Sequence, residues 1–327
     1  MVSSEPEEGR GRLSVRLLVV ALVAQLVLFG GLIFFAVNGF PCIGCGGGHD
    51  DAPPAATSAA ATVPPARTSR FDGRRALRTV RLQLSYGQRP AGSPQLRRLA
   101  EKLRRMLPRG RFEPVPGSNP ARPLRNVVGS LPGRGPVVVL GAHYDSEYHP
   151  KGFVGANDSA AGTAVVIEAA RALSRMKRPR DAPEIRFVLF DGEEEPKPTD
   201  NFYRDALRGS KAYVQAHAEE VGAMVLLDYV GNKGLRLPRE GSSTASLWAR
   251  VRAAAKRVGV GAVFPDATET AIFDDHTPFL RAGIPAVDLI DWSYRYRDTV
   301  RDTYDKLDGR SIDAVGETVV ELLRGWR

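Results

Sequence analysis

Hydrophobic and polar positions divide the chain into stretches of different pattern. Residues 17–37 are apolar apart from Gln25 and the pair Gly30–Gly31, and this run is long enough to cross a bilayer as a helix. From Gly46 to about Ser69 the sequence is rich in Gly, Ala, Pro, Thr and Ser, which predicts a flexible stalk. We therefore predict a tail over 1–16, a transmembrane helix over 17–37, a stalk over 38–69 and one domain over 70–327.

Within the predicted domain, segments with helical spacing alternate with short apolar runs. Helices are predicted over 71–84, 93–106, 162–173, 245–258 and 311–323, and strands over 137–140, 185–190, 223–228 and 285–290. Strands separated by helices are typical of an α/β protein with a mostly parallel sheet. The predicted fold is a three-layer α/β/α sandwich, preceded by one transmembrane helix.

Charged residues beside the apolar run predict how the chain is oriented in a membrane. Arg10, Arg12 and Arg16 precede the run, so the N-terminus is expected in the cytoplasm and the domain outside, in a single-pass protein of the cell membrane. A cleaved signal peptide is the alternative, but the run is long for one. Cys42 and Cys45 lie just beyond the run, and we expect either a local disulfide or two free thiols.

The composition carries a surplus of positive charge. Lys and Arg number 46 against 37 Asp and Glu, a formal net charge of +9. Such a surplus favours solubility and attraction to anionic lipid near an anchor. The sequence has no basic motif interleaved with aromatic residues and no zinc-finger spacing, so nucleic acid is not a predicted partner.

Candidate chemistry is concentrated where the predicted strands end. His143 and Asp145 come just after the strand 137–140, and ligand sites of open α/β sheets form beyond the carboxyl ends of strands. His143 could bind a metal through one ring nitrogen while Asp145 orients the ring. Further acidic positions with the same placement are Asp158, Asp191, Glu193, Glu194, Asp228, Asp274 and Asp275. So many carboxylates at one sheet edge would repel each other strongly unless a cation neutralised them, which predicts a metal site.

Four motifs in order make the sequence similar to a known family. They are Gly-Ala-His-Tyr-Asp-Ser (141–146), Gly-Ala-Asn-Asp-Ser-Ala-Ala-Gly (155–162), Asp-Gly-Glu-Glu (191–194) and Leu-Leu-Asp (226–228). In combination they resemble the M28 metallopeptidase and glutaminyl-cyclase superfamily, over about residues 77–323. The resemblance implies a zinc-aminopeptidase-like fold and one or two Zn²⁺ ions, although another divalent metal could replace zinc.

The resemblance also implies roles for individual residues. Asp158 would bridge or anchor the metal, with His143 and Asp228 on one side and Glu194 on the other. Glu193 would be the general base. The resemblance further implies a cis peptide bond between Asp158 and Ser159.

The sequence departs from the family at the last metal ligand. Relatives supply a His there, whereas the matching stretch of this chain places Asp298 after Arg297. A carboxylate can still bind zinc, so Asp298 is predicted as a ligand, and an oxygen at this position also admits Mn, Co or Mg.

The family motifs are compatible with two reactions on peptide or protein N-termini. The first hypothesis is an aminopeptidase, in which Glu193 activates metal-bound water. The alternative is a glutaminyl cyclase that forms N-terminal pyroglutamate. The polar insertion over 195–208 and the segment Phe273–His276 resemble the cyclases, whereas Arg297 replaces a tryptophan that cyclases have.

Two residues of that segment are predicted to act in catalysis. Asp275 would assist the base, and His276 would contact substrate or exchange a proton near Asp275. A hypothesis of another class is a catalytically silent, membrane-tethered binding domain, which the loss of the terminal His would explain.

Overall fold

The computed structural model describes residues 62–327, which lie within one compact unit that starts at Ser58. The predicted tail, the predicted transmembrane segment 17–37 and both cysteines lie outside the described residues. No helix within 62–327 combines the length and the apolar character that crossing a membrane requires. Because the compact unit contains the complete core described below, we expect residues 58–327 to fold without the preceding segment.

Three of the long helices begin at capping residues. Asp72 caps the first helix by accepting a hydrogen bond from the Arg75 amide, and Ser93 and Asp308 cap the second and the last helix in the same way. The helices are α1 (Gly73–Leu84), α2 (Pro94–Met106), α3 (Gly162–Ser174), α4 (Phe202–Asp205), α5 (Arg208–His217), α6 (Ala245–Arg257), α7 (Thr277–Arg281) and α8 (Gly309–Arg324). The five long helices predicted from periodicity are confirmed.

A six-stranded mixed sheet forms the centre of the molecule. Its strands are β1 (Arg111–Pro114), β2 (Arg125–Leu131), β3 (Val137–His143), β4 (Ile185–Phe190), β5 (Val221–Asp228) and β6 (Ala286–Ile290), in the spatial order β1-β2-β4-β3-β5-β6. Strands β3 to β6 pair in parallel, whereas β1 pairs with β2 and β2 with β4 in antiparallel fashion. The carboxyl ends of the four parallel strands therefore lie at one edge of the sheet.

Alternate side chains of the sheet enter two separate cores. On β3, Val138 and Leu140 pack with α1, α2, α3, α6 and α8 in the larger core, while Val139 joins Tyr213 of α5 and Phe279 of α7 in the smaller one. This period of two is expected for a sheet covered by helices on both faces. The α/β fold with a mixed sheet is confirmed.

Two features differ from the pattern read in the sequence. Strands β1 and β2 were not predicted, because Asn126, Gly129 and Ser130 interrupt the apolar run of β2. The last part of the predicted stalk also packs against the domain. Val63 is only 3% exposed, and the Arg67 amide donates a hydrogen bond to the Val258 carbonyl at 2.8 Å.

Candidate active site

His143 is the last residue of β3, and its buried ring is surrounded by carboxylates. The ring Nε2 lies 2.9 Å from Asp158 Oδ1 and 3.7 Å from Asp228 Oδ1, and Nδ1 lies 3.9 Å from Glu193 Oε2. Burial alone would lower the pKa of His143, but the neighbouring carboxylates raise it well above its usual value. His143 is therefore the centre of the predicted site.

Asp145 lies close to His143 and also holds the loop after β4. Its Oδ1 is 3.6 Å from His143 Nδ1, and its two oxygens accept hydrogen bonds at 3.3 Å from the amides of Glu193 and Glu194. Gly192, with a φ of 76°, gives this loop a turn that other residues adopt only with strain. A single buried carboxylate thus fixes both glutamates relative to the histidine.

Asp158 lies in a distorted helical turn that leads into α3. The carboxylate of Asp302 accepts hydrogen bonds from the amides of Asn157 and Asp158, each at 3.0 Å. The fully buried Arg89 donates to the Gly155 carbonyl at 3.2 Å, and burial lowers its pKa to about 10. The predicted cis peptide bond between Asp158 and Ser159 is confirmed.

Glu193 and Glu194 are both buried beside His143. Burial is the largest cause that raises their pKa well above the usual value, and for Glu194 the charge of Asp158 acts in the same direction. Burial also raises the pKa of Asp228, at the end of β5, to about 7. A cation bound between these carboxylates would lower their pKa values, because its charge stabilises their ionised forms.

Tyr229 joins the predicted ligand Asp298 to the rest of the site. Its hydroxyl lies 2.9 Å from Asp158 Oδ2 and 2.9 Å from Asp298 Oδ1, so its single proton can be donated to either carboxylate. Both Tyr229 and Asp298 have left-handed backbone conformations, with φ of 45° and 57°, which cost non-glycine residues free energy and are frequent at functional sites. Asp298 is half-exposed and also contacts Arg297 Nε at 3.2 Å.

The segment Asp274–His276 is buried close to Glu193 and belongs to a separate group of buried polar side chains. His276 Nε2 is 3.1 Å from Glu240 Oε2, and Nδ1 is 3.8 Å from Asp288 Oδ2. Asp274 and Asp275 lie near enough for their charges to raise the pKa of Glu193. The structure thus brings Asp275 into the surroundings of the base, whereas His276 lies with Glu240 and Asp288 and not with His143.

The donor set around His143 fits a divalent cation. Two groups of three buried side chains around His143 each offer ligand atoms within 4.8 Å of one another: His143, Asp158 and Asp228, and His143, Glu193 and Glu194. A third group with this spacing, Asp274, His276 and Asp288, lies apart from His143. Two buried atoms of the groups around His143, His143 Nδ1 and Glu194 Oε1, have no hydrogen-bond partner among the described residues. Unpaired buried acceptors of this kind are what a zinc ion requires. Asp298 belongs to none of these groups.

A cavity of about 670 Å³ adjoins the glutamates and could admit a peptide. Its lining includes Ser146, Glu194 and Glu195. Glu147, which was not predicted from the sequence, lies beside this region. Burial, together with the charges of Asp158 and Asp298, raises the pKa of Glu147 to about 8.

Two exposed aromatic side chains lie in the segments that carry Asp274 and Asp298. Phe273 precedes Asp274 and is 53% exposed, and Trp292 is 40% exposed. The guanidinium of Arg297 stacks on the Trp292 ring at 3.7 Å. Arg297 stands where the cyclases have a tryptophan, and Trp292 therefore supplies an aromatic ring beside that position.

Comparisons with known proteins agree with this geometry. The model of peptidase family M28 matches residues 126–323. The glutaminyl-peptide cyclotransferase-like protein of Mus musculus is 31% identical over 240 residues, which cover 62% of this chain and 62% of that protein. The chain thus spans less than two thirds of that relative.

Solved structures of two kinds share the fold. The glutaminyl cyclase of an Acidobacteriales bacterium matches with a TM-score of 0.70 and 29% identity, over 80% of this chain and 97% of that chain. A Zn-dependent exopeptidase from Parabacteroides distasonis matches with a TM-score of 0.69 and 25% identity, over 80% and 99%. The described residues therefore share a scaffold that carries both cyclases and exopeptidases.

Proposed function

Because this chain belongs to peptidase family M28 and is an enzyme of M28 or glutaminyl-cyclase type, we propose that it converts N-terminal glutamine to pyroglutamate. The observation that carries the proposal is the buried Glu193, which lies beside the metal-compatible group of His143. The sequence alone favoured the aminopeptidase first. We now place the cyclase first, because the relative from Mus musculus reported above is a glutaminyl-peptide cyclotransferase-like protein and the solved structure from an Acidobacteriales bacterium is a glutaminyl cyclase.

The proposed metal ligands are His143, Asp158, Asp228 and Glu194, with Asp298 as a further ligand brought close by Tyr229. Zinc, when bound there, would polarise the side-chain carbonyl of the substrate glutamine. Asp145 would keep His143 and the two glutamates in place, and the buried surroundings would exclude competing water.

Glu193 would transfer the proton that the reaction must move. The α-amine of the substrate attacks the side-chain amide carbon, a carbon–nitrogen bond forms, and the bond to the amide nitrogen breaks. Glu193 takes one proton from the attacking amine and delivers it to the departing nitrogen, which leaves as ammonia. Burial and the charges of Asp274 and Asp275 raise the pKa of Glu193, which suits a group that must both accept and release a proton.

A second candidate, aminopeptidase activity, is supported by the similarity to the Zn-dependent exopeptidase and by the open cavity beside Glu194. In that reaction Glu193 would take a proton from the attacking water and pass it to the leaving amine. The two candidates need the same residues and differ in their products.

Product analysis separates the two candidates. The fragment 58–327, loaded with zinc, is incubated with a peptide that begins with Gln, and the products are identified by mass spectrometry. Loss of ammonia with the chain length unchanged is the expected result. Release of the whole first residue would instead establish the aminopeptidase, and an unchanged peptide in metal-loaded protein would contradict both.

We also propose that residues 17–37 anchor the enzyme in the cell membrane, with the domain outside. The apolar run and the three preceding arginines support this proposal. Carbonate extraction of membranes and protease treatment of intact cells test it. Recovery of the protein in the soluble fraction would contradict the anchor, and resistance of the domain to external protease would contradict its orientation.

A further inference from the structure

The positive charge of the chain is concentrated on two helices that are consecutive in the sequence. Helices α1 and α2 comprise 12 and 13 residues and carry nine Lys and Arg but a single acidic residue, Glu101, so their net charge is +8. The whole chain has a net charge of +9. The rest of the chain therefore has a net charge of only +1, so nearly all of the excess positive charge lies on these two helices.

The spacing of these residues produces a basic stripe on each helix. Arg74, Arg78 and Arg81 on α1 follow positions i, i+4 and i+7, and the same spacing relates Arg98, Lys102 and Arg105 on α2. Residues with this spacing share one face of a helix. All six are exposed, and we call them together the basic face.

Packing directs both stripes to the same side of the molecule. The apolar sides of the two helices, including Val80 of α1 and Leu99 of α2, enter the larger core, and both helices pack against α3. The basic face therefore points away from the sheet. The active site opens at an edge of the sheet, so a surface bound to the basic face would not close it.

None of the six side chains of the basic face takes part in a salt bridge within residues 62–327. Other arginines of the same helices do: Arg75 pairs with Asp72, and Arg104 lies 3.6 Å from Glu101. Like charges at i and i+4 destabilise a helix, so the stripes carry a cost that an anionic partner would offset. Solubility alone does not require the positive charges to be gathered on one side.

We propose that the basic face docks on the surface of an anionic phospholipid bilayer. Neither α1 nor α2 contains an aromatic residue on which nucleic-acid bases could stack. The predicted transmembrane segment ends at residue 37, so only residues 38–61 separate it from the described chain. A linker with the composition predicted for the stalk and a length of 24 residues spans about 27 Å on average, so the predicted stalk would keep the basic face near the bilayer.

The primary test is co-sedimentation with vesicles. The fragment 58–327 is mixed with vesicles of phosphatidylcholine alone or of equal parts phosphatidylcholine and phosphatidylglycerol. Binding is expected only to the anionic vesicles, and high salt should abolish it because exposed charges are screened. Absence of binding to anionic vesicles at low salt would overturn the proposal. So would tighter binding to duplex DNA than to these vesicles at the same salt.

Charge-reversal variants locate the binding surface. The triple variant R98E/K102E/R105E should lower the vesicle partition coefficient by roughly 100-fold or more, since each basic side chain contributes about fivefold. The control K151E/K197E/K233E changes the net charge equally at three exposed lysines outside the basic face and should retain most of the binding. Equal losses in the two variants would show that only net charge matters and would overturn the proposal.

Hydrogen–deuterium exchange extends the test to the intact chain. Full-length protein in nanodiscs of the same two lipid compositions should show slower exchange in the exposed turns at the ends of α1 and α2 only in the anionic discs. Thermal unfolding of each variant confirms that it is folded, and R74Q/R78Q/R81Q supplies a milder second variant. Exchange that does not depend on lipid charge would contradict docking.

Discussion

Two buried acidic groups lie side by side in this molecule, and only one of them borders a large cavity. The open group comprises His143, Asp158, Glu193, Glu194 and Asp228, and it borders a cavity of about 670 Å³. The sealed group comprises Glu240, Asp274, His276 and Asp288, and all four side chains are buried. The same residue types therefore form two environments, and only the open one is accessible to a substrate.

Hydrogen bonding satisfies the two groups only in part. In the sealed group, Glu240 accepts hydrogen bonds from Ser242 and Ser243 and from the Ile272 amide, and the Asp288 amide donates to Ser243 Oγ at 3.0 Å. Unpaired buried atoms nevertheless remain in both groups of the described residues: His143 Nδ1 and Glu194 Oε1 in the open group, and Asp274 Oδ2, His276 Nδ1 and both carboxylate oxygens of Asp288 in the sealed group. We infer that the open group holds the metal, because it borders the cavity, and that the sealed group acts on Glu193 through the charge of Asp274, which raises the pKa of Glu193.

The largest expected effect concerns the base of the open group. Glu193→Gln should lower kcat by about 100- to 10,000-fold, because a positioned general acid–base contributes that much. The measurement is ammonia release from a Gln peptide at saturating substrate. Glu219→Gln, at an exposed position, is the matched control. Retained activity in the Glu193 variant would contradict its role.

Breaking the sealed group should affect stability more than chemistry. Glu240→Ala removes the partner of His276 Nε2 and leaves buried polar groups unsatisfied, so it should lower the free energy of unfolding by about 3 kcal/mol. Urea denaturation of the variant and of the exposed control Glu219→Ala measures the difference. An equal loss in the two variants would show that the sealed group is not a source of stability.

The pH dependence of stability should also reveal the contribution of the Glu240 carboxylate. Burial alone would raise the pKa of Glu240, but the hydrogen bonds from His276 and from backbone amides lower it to about 2. Because the folded pKa lies below the unfolded one, this contribution is complete above pH ~4.5 and is lost as the pH falls toward 2. The stability difference between wild type and Glu240→Gln should therefore shrink across this range, and a constant difference would contradict the assignment.

A smaller effect is expected at the tyrosine between the two carboxylates. Tyr229→Phe removes the donor shared by Asp158 and Asp298 and should weaken zinc binding by about 10-fold, as loss of groups that orient ligands commonly does. Competition with a chromogenic chelator measures the affinity. Tyr203→Phe, in a ring stack with Arg281 away from the metal ligands, should bind zinc as the wild type does. Unchanged affinity in the Tyr229 variant would separate Asp298 from the metal site.

The smallest expected effect tests whether Asp298 itself binds the metal. Asp298→His restores the ligand type of the relatives and should raise zinc affinity severalfold if residue 298 contacts the metal. Imidazole is a ligand that suits zinc, whereas carboxylate suits Mg and Mn. Asp298→Asn is the control for loss of charge. The same affinity in all three proteins would show that residue 298 does not bind metal.

The location of the open group was predictable because carboxyl ends of parallel strands converge. His143 and Asp228 end neighbouring parallel strands, and Glu193 follows another, so sequence order was sufficient to bring them together. Tyr229 was not predicted, because its aromatic side chain carries no charge signal and its position depends on a left-handed backbone.

The sealed group was only partly predictable, because its members are distant in sequence. One available signal was Asp288, a charged residue in the middle of the otherwise apolar strand β6. Nothing local connects Glu240 to His276, since the loop that carries Glu240 reaches this histidine only through the tertiary fold. Pairing of this kind is set by packing between elements, which periodicity does not encode.

Metal stoichiometry tests the difference between the two groups most directly. Zinc bound to purified wild type, Asp158→Asn and Asp288→Asn is measured by elemental mass spectrometry after dialysis against buffer with trace zinc, together with thermal unfolding of each protein. We expect wild type and Asp288→Asn to retain the same amount of zinc and Asp158→Asn to lose it. Loss of zinc from a folded Asp288→Asn variant, with retention in Asp158→Asn, would contradict the assignment of the metal to the open group.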